Sequence, residues 1–149
     1  MKYRSQLAFV ILISLLVAAC SSSDGDGGGS GITFADFQAE VKLAAGAGAA
    51  DCGHVALGAD RSEANCCVAT NFVQFLPFSV IFDEQGIDSR VARGLVLDAS
   101  GATTLFVFDS DPTGGNRQDN GRINSVTCDN PSLTQNPCSD PVGFPLTCG

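Results

Sequence analysis

The apolar residues of the stretch ITFADFQAEVKLAA recur three and four positions apart. Phe34, Phe37, Val41 and Ala44 fall on one side of a helical wheel, which predicts a first helix over 32–45. Thr33 is placed to cap it, and Asp36, three residues on, sits near the positive end of the helix dipole. The run GAGAA ends it. A second helix is predicted over 61–76, with Asp60 as N-cap and Glu63 in the reciprocal position. Its buried stripe is Ala64, Val68, Phe72 and Phe75, and Pro77 blocks its continuation.

After Pro77 the period changes from helical to alternating. FSVIFDE, SRVARGLVLD, TTLFVFD and RINSVTC are four strand-like runs separated by turn chemistry. No internal repeat is present. The order helix, helix, four strands predicts an α+β fold: two N-terminal helices packed on one apolar face of a four-stranded antiparallel sheet. The longest connection, FDSDPTGGNRQDNGR, reads as a hairpin loop in which Asp111-Pro112, Gly114-Gly115 and Asp119-Asn120-Gly121 make turns.

The chain begins with a different pattern. Lys2 and Arg4 precede an apolar run from Leu7 to Ala19, broken only by Ser14. That is a secretory signal over 1–19, short for a membrane span. Val17-Ala18-Ala19-Cys20 resembles the lipobox of bacterial lipoproteins, which implies cleavage before Cys20 and a lipid on it. SSSDGDGGGSG follows, with nothing apolar to bury, so 20–31 reads as the lipidated cysteine and a flexible linker. Eleven such residues span roughly 17–20 Å root-mean-square. Ser21 after the cysteine, by resemblance to lipoprotein sorting, implies the outer membrane of the cell envelope.

The chain has 149 residues, so 149 − 31 = 118 remain after the linker, enough for one domain with a modest core. A domain over 32–130 and a C-terminal tail over 131–149 are expected. Of 8 basic and 16 acidic side chains, Lys2 and Arg4 leave with the signal, giving 6 − 16 = −10. Such a charge disfavours nucleic acid and anionic lipid headgroups as direct partners, so no nucleic acid is expected and the lipid serves as the membrane contact.

Six of the seven cysteines remain beside Cys20: Cys52, Cys66, Cys67, Cys128, Cys138 and Cys148. An even number in an exported domain predicts three disulfides. Adjacent Cys66 and Cys67 do not suit a mutual bond. A local bridge from Cys138 to Cys148 orders the Pro-rich tail, and Cys66 and Cys67 then join Cys52 and Cys128 in either pairing. A zinc site is the rival, disfavoured by the export signal and the lack of a Cys-x-x-Cys pair.

The candidate chemistry is thin. His54 is the sole histidine and reads as an exposed residue of a stapled loop, with no Gly-x-Ser-x-Gly elbow elsewhere. Asp83, Asp88, Asp109 and Asp111 end or open strands that share one rim, and Arg90 and Arg93 are the cations near it. Asp83, Asp88, Arg90 and Asp109 therefore form a candidate binding rim, with a structural ion pair as the default. The same carboxylates support an alternative, a small hydrolase. A weak calcium loop is conceivable at Asp109, Asp111, Thr113 and Asp119. Its twelfth position is Asn120, however, which lacks the bidentate carboxylate of an EF-hand. No cofactor is implied.

DCG at 51–53, QGIDS at 85–89 and DSDP at 109–112 resemble a group of uncharacterised exported bacterial proteins over roughly 51–128. That group has no assigned activity, so the resemblance imports no catalytic residue. The element order is also similar to the helix–helix–sheet modules of β-lactamase inhibitor proteins and outer-membrane assembly lipoproteins, a likeness of fold alone. The sequence therefore predicts a lipid-anchored envelope protein whose domain binds or supports another envelope protein.

Overall fold

A computed structural model describes residues 31–114 and 121–149. The signal segment, Cys20, the linker up to residue 30 and Asp119 lie outside the described residues. The elements are α1 (Phe34–Ala45), β1 (Ala50–Val55), α2 (Ser62–Val73), β2 (Phe78–Glu84), β3 (Val91–Leu97), β4 (Thr103–Asp109) and β5 (Arg122–Cys128), followed by a short hairpin of β6 (Pro131–Leu133) and β7 (Leu146–Cys148). The fold is α+β, as expected, with a five-stranded mixed sheet in the order β1-β2-β3-β4-β5.

The four predicted strands form the antiparallel part, in unbroken register from β2 to β5. A fifth strand, β1, joins them, so the expected four-stranded, wholly antiparallel sheet is corrected. β1 pairs parallel to β2, and α2 is the crossover that a parallel connection requires. Its sequence, ADCGHV, hides the strand because it does not alternate. Asp51 pairs with Ser79 and His54 with Ile81, so two residues of β1 face one of β2. Gly53, at φ +92°, supplies the backbone for this bulge. The extra residue turns His54 to the same face as Asp51, where a regular strand would turn it away.

The helices do not share one face, contrary to expectation. Phe37, Val41 and Ala45 of α1 pack with Ile81, Ala92, Val96, Phe106 and Phe108 on one side of the sheet. Ala64 and Val68 of α2 pack with Phe78, Val80, Phe82, Leu95 and Leu97 on the other. The run FSVIF is apolar at both parities because β2 is covered on both faces. On the α1 side, Gly94 makes room for the helix: a Cβ there lies 2.5 Å from Val41 Cγ2 and 3.3 Å from Phe37 Cζ.

The helix ends show which local signals held. Thr33 and Asp36 form the predicted capping box: Asp36 N–H donates to Thr33 Oγ1 and Thr33 N–H to Asp36 Oδ2. The start of α2 is different. Arg61 occupies the cap position with helical backbone, while Asp60 Oδ1 accepts from Ser62 N–H. At the other end α2 stops at Val73, and Phe75, expected in the buried stripe, is 80% exposed. Phe75 N–H bonds to Phe72 O and Leu76 N–H to Asn71 O. These two bonds are those of a Schellman motif, and Phe75 takes its left-handed position at φ 55°. Glycine usually fills that place, because any Cβ there is strained.

Three disulfides staple the domain: Cys52–Cys67, Cys66–Cys138 and Cys128–Cys148. The local Cys138–Cys148 bridge does not form, and Cys66 does not join Cys128. The tail folds onto the α2 face instead, with Leu146 buried and Phe144 packed against Phe82 at 5.1 Å between ring centres. Cys138 is thereby delivered to α2 and Cys148 to the end of β5. Asn65, fully buried on α2, donates through Nδ2 to Asp140 O and Gly143 O and fixes the tail's path. Closing 15 residues (Cys52–Cys67) stabilises by about 3 kcal/mol in the chain-entropy account, and closing 72 (Cys66–Cys138) by about 4.

Phe75→Gly is expected to stabilise the domain by about 1 kcal/mol, because glycine relieves the left-handed strain and little buried area is lost; urea unfolding measures it. Acid acts in the opposite direction. Backbone N–H groups of Val142 and Gly143 hold the Asp140 carboxyl below its usual value of 3.8, and the Thr33 side chain and N–H do the same for Asp36. Both aspartates therefore favour the folded form above about pH 4, and this contribution is lost as pH falls through their lowered values. The urea midpoint should be level from about pH 7 to 5 and fall below about pH 4.

Candidate functional site

Both helices start at one rim of the sheet, beside the C-terminal ends of β1, β2 and β4. This rim gathers more groups than the carboxylates considered from the sequence. Asp83, near the end of β2, is its hub. Arg90 Nη2 donates to both carboxylate oxygens of Asp83, at 3.2 and 3.0 Å. His54 Nε2 lies 2.9 Å from Asp83 Oδ1, with the carboxylate accepting. The result is a row, His54–Asp83–Arg90, across three chain segments.

Phe34 closes this row from the α1 side. Its ring lies under the Arg90 guanidinium at 3.4 Å and 5.3 Å from the His54 ring. It also meets Phe37 and Phe108 at 5.7 Å each. A guanidinium stacked on an aromatic face and paired with a carboxylate is held by both contacts at once. On the α2 side, Arg61 donates to Asp83 O at 3.1 Å and pairs with Glu84 Oε1 at 3.4 Å, and it lies over the Phe82 ring at 5.1 Å.

A hollow of about 380 Å³ opens next to the row, between the start of α1 and the strand ends. Phe34 and Phe108 form its floor, with Arg90, Asp88, Ser110 and Asp111 around it. Arg90 N–H donates to Ser110 Oγ at 2.8 Å, which ties the β2–β3 turn to the end of β4.

The structure thus brings Asp83 and Arg90 into contact and sets Asp88 beside them at the hollow. Asp109 stands apart. It follows Phe108 on the opposite face of β4, and its Oδ1 accepts from Asp111 N–H at 2.9 Å. Thr113 Oγ1 donates to Asp111 Oδ1 at 3.4 Å and Gly114 N–H to Asp111 O, so 109–114 is a self-bonded turn. Among the described residues no group of three or more His, Cys, Asp or Glu side chains is placed to hold a metal ion. Arg93 does not join the rim network; it points across the other face toward Phe144 at 5.8 Å.

Sequence reasoning missed His54, Phe34 and Arg61 as members of the site. His54 is on a strand, not in a loop, and only the bulge at Gly53 turns it toward Asp83. Phe34 is legible as core, but its second use as a platform for Arg90 is not. No protein-family model matches the chain, and no curated protein or solved structure matches it. The site therefore has to be understood from its own geometry.

Asp83→Ala leaves Arg90 and His54 without their shared acceptor and should cost about 1–2 kcal/mol. Asp88→Ala, at an exposed position, should stay within about 0.5 kcal/mol. Chemical denaturation of the two variants compares them directly.

Proposed function

We propose that the chain is an envelope lipoprotein, tethered through a lipid on Cys20, whose domain serves as a binding or structural module. The observation that supports this over hydrolysis is the use made of Asp83. Paired-carboxylate hydrolysis needs two carboxyl groups free to face one substrate, one as acid and one as base or nucleophile. Asp83 instead commits both oxygens to Arg90 and one of them also to His54. That arrangement holds three segments together and presents a fixed surface.

The tether reading is supported by order along the chain: charged start, apolar run, Val17-Ala18-Ala19-Cys20, then Gly/Ser linker. The resemblance to exported bacterial proteins is in keeping with it, and Ser21 favours the outer membrane. The partner in this reading is another envelope protein, met at the rim or the open hollow. The second reading, a small hydrolase, rests on Asp88 and Asp111 lining the same hollow.

Expression with its native signal should yield a membrane-bound protein whose mature mass begins at Cys20 and includes acyl groups. Cys20→Ala should appear in the soluble fraction. A Cys20→Ala protein that still sediments with membranes overturns the tether. Turnover of a sugar or ester substrate that is abolished by Asp88→Asn would favour the hydrolase instead.

A further inference from the structure

The end of the domain opposite the rim carries no use in the reading above. Both helices finish there, as do the loops that lead into β1 and β2. Leu43 is 82% exposed, Phe75 80%, Val73 64% and Leu76 47%. The exposed apolar residues of the rim, such as Leu57, Ile87 and Val142, lie in sequence among Asp60, Glu84, Asp88 and Asp140. This end is different. The runs LAAGAGAA (43–50) and ANCCVATNFVQFLPFSVIF (64–82) contain no charged residue. The strand register also places charges at this end: Lys42 and Asp51, paired at 3.1 Å, Asp98 in the β3–β4 turn and Asp129 just after β5.

Phe75 is the sharpest feature of this end. It occupies the one position of the helix stop where glycine is favoured, at φ 55°, and it points its ring into solvent. Strain of this kind, with no packing gained in return, points to a use outside the fold. An aromatic ring beside Val73 and Leu76, in a run without a charged residue, suits the boundary between headgroups and acyl chains.

The tether sets where such a surface can go. The eleven residues from Ser21 to Gly31 extend to about 36–40 Å. The twelve residues of α1 carry the chain about 18 Å from the rim to the apolar end. The linker is therefore long enough to reach back past α1 and leave the apolar end on the same lipid surface that holds the acyl chains. The charge distribution works the same way, because the carboxylates clustered at the rim are repelled by anionic headgroups, whereas the run 64–82 carries no charge.

We propose that the uncharged tip formed by Val73, Phe75 and Leu76 rests in the lipid surface to which Cys20 is anchored, so that the His54–Asp83–Arg90 rim faces away from the membrane. This rests on the tethered reading above. The orientation makes the rim and its hollow the outward surface available to a partner.

The chain contains no tryptophan, so Phe75→Trp provides a single reporter in the full lipidated protein. Reconstituted in phosphatidylcholine vesicles, its emission should shift to the blue and be quenched about twofold when the acyl chains are brominated. Leu76→Trp should behave alike, and Ile87→Trp, fully exposed at the rim, should be unaffected. If the indoles at positions 75 and 76 of the lipidated protein emit as in water, unquenched, the tip contact is overturned while the tether stands. Blue-shifted but unquenched emission, with a doubled mass in solution, overturns it in favour of a second copy on this face. A mature protein without acyl mass defeats the tether reading; quenching of the same reporters when that protein is added to vesicles would still support the tip.

Discussion

The fold depends on β2 being covered on both sides. Phe78, Val80 and Phe82 point to α2 and the tail, and Ile81 points to α1. Such a strand cannot sit at the margin of a sheet or under a single layer of helices. It requires a neighbour on each edge, supplied by β1 and β3, and a cover on each face. The parallel pairing of β1, the crossover through α2 and the separation of the helices follow from that requirement. So does the return of the C-terminal tail, which completes the α2 face with Leu146 and Phe144.

Much of this is legible in the sequence, and the failures have physical causes. The first helix, its capping box and the strands β2 to β5 follow from period, capping chemistry and turn residues. FSVIF reads as alternating, yet its apolar residues at both parities are the mark of a strand covered twice. ADCGHV reads as a loop because its bulge breaks alternation and its cysteine is bonded to a helix. Phe75 reads as core because it continues the stripe of α2; one left-handed residue ends the helix and turns it outward. The disulfide pairing is misjudged when the tail is treated as a separate piece. Proximity along the chain favours Cys138 with Cys148, whereas packing against α2 decides the matter.

The site is legible in part. Strand-end carboxylates are expected to share a rim with Arg90, and Asp83 and Arg90 do meet there. What sequence cannot convey is that Phe34, at the start of a helix from the other end of the chain order, stacks on Arg90 and touches His54. Contacts of that kind depend on three-dimensional closure of α1 over the sheet, which Gly94 permits by leaving space for Val41. A charged row stacked on an aromatic ring is therefore a lock for α1.

All six bonded cysteines lie between Cys52 and Cys148, so α1 is the one major element outside the covalent framework. It is also the first described element of the chain. In the tethered arrangement proposed above, a pull from the N-terminal side would be borne first by Phe34 on Arg90 and by Phe37 and Val41 against the sheet, with no disulfide to stop them. Under such a load α1 would peel from the sheet before the cross-linked remainder from β1 to β7 lost its shape. The disulfides thus make a rigid body of the chain from β1 onward and leave α1 as its one strap free of cross-links.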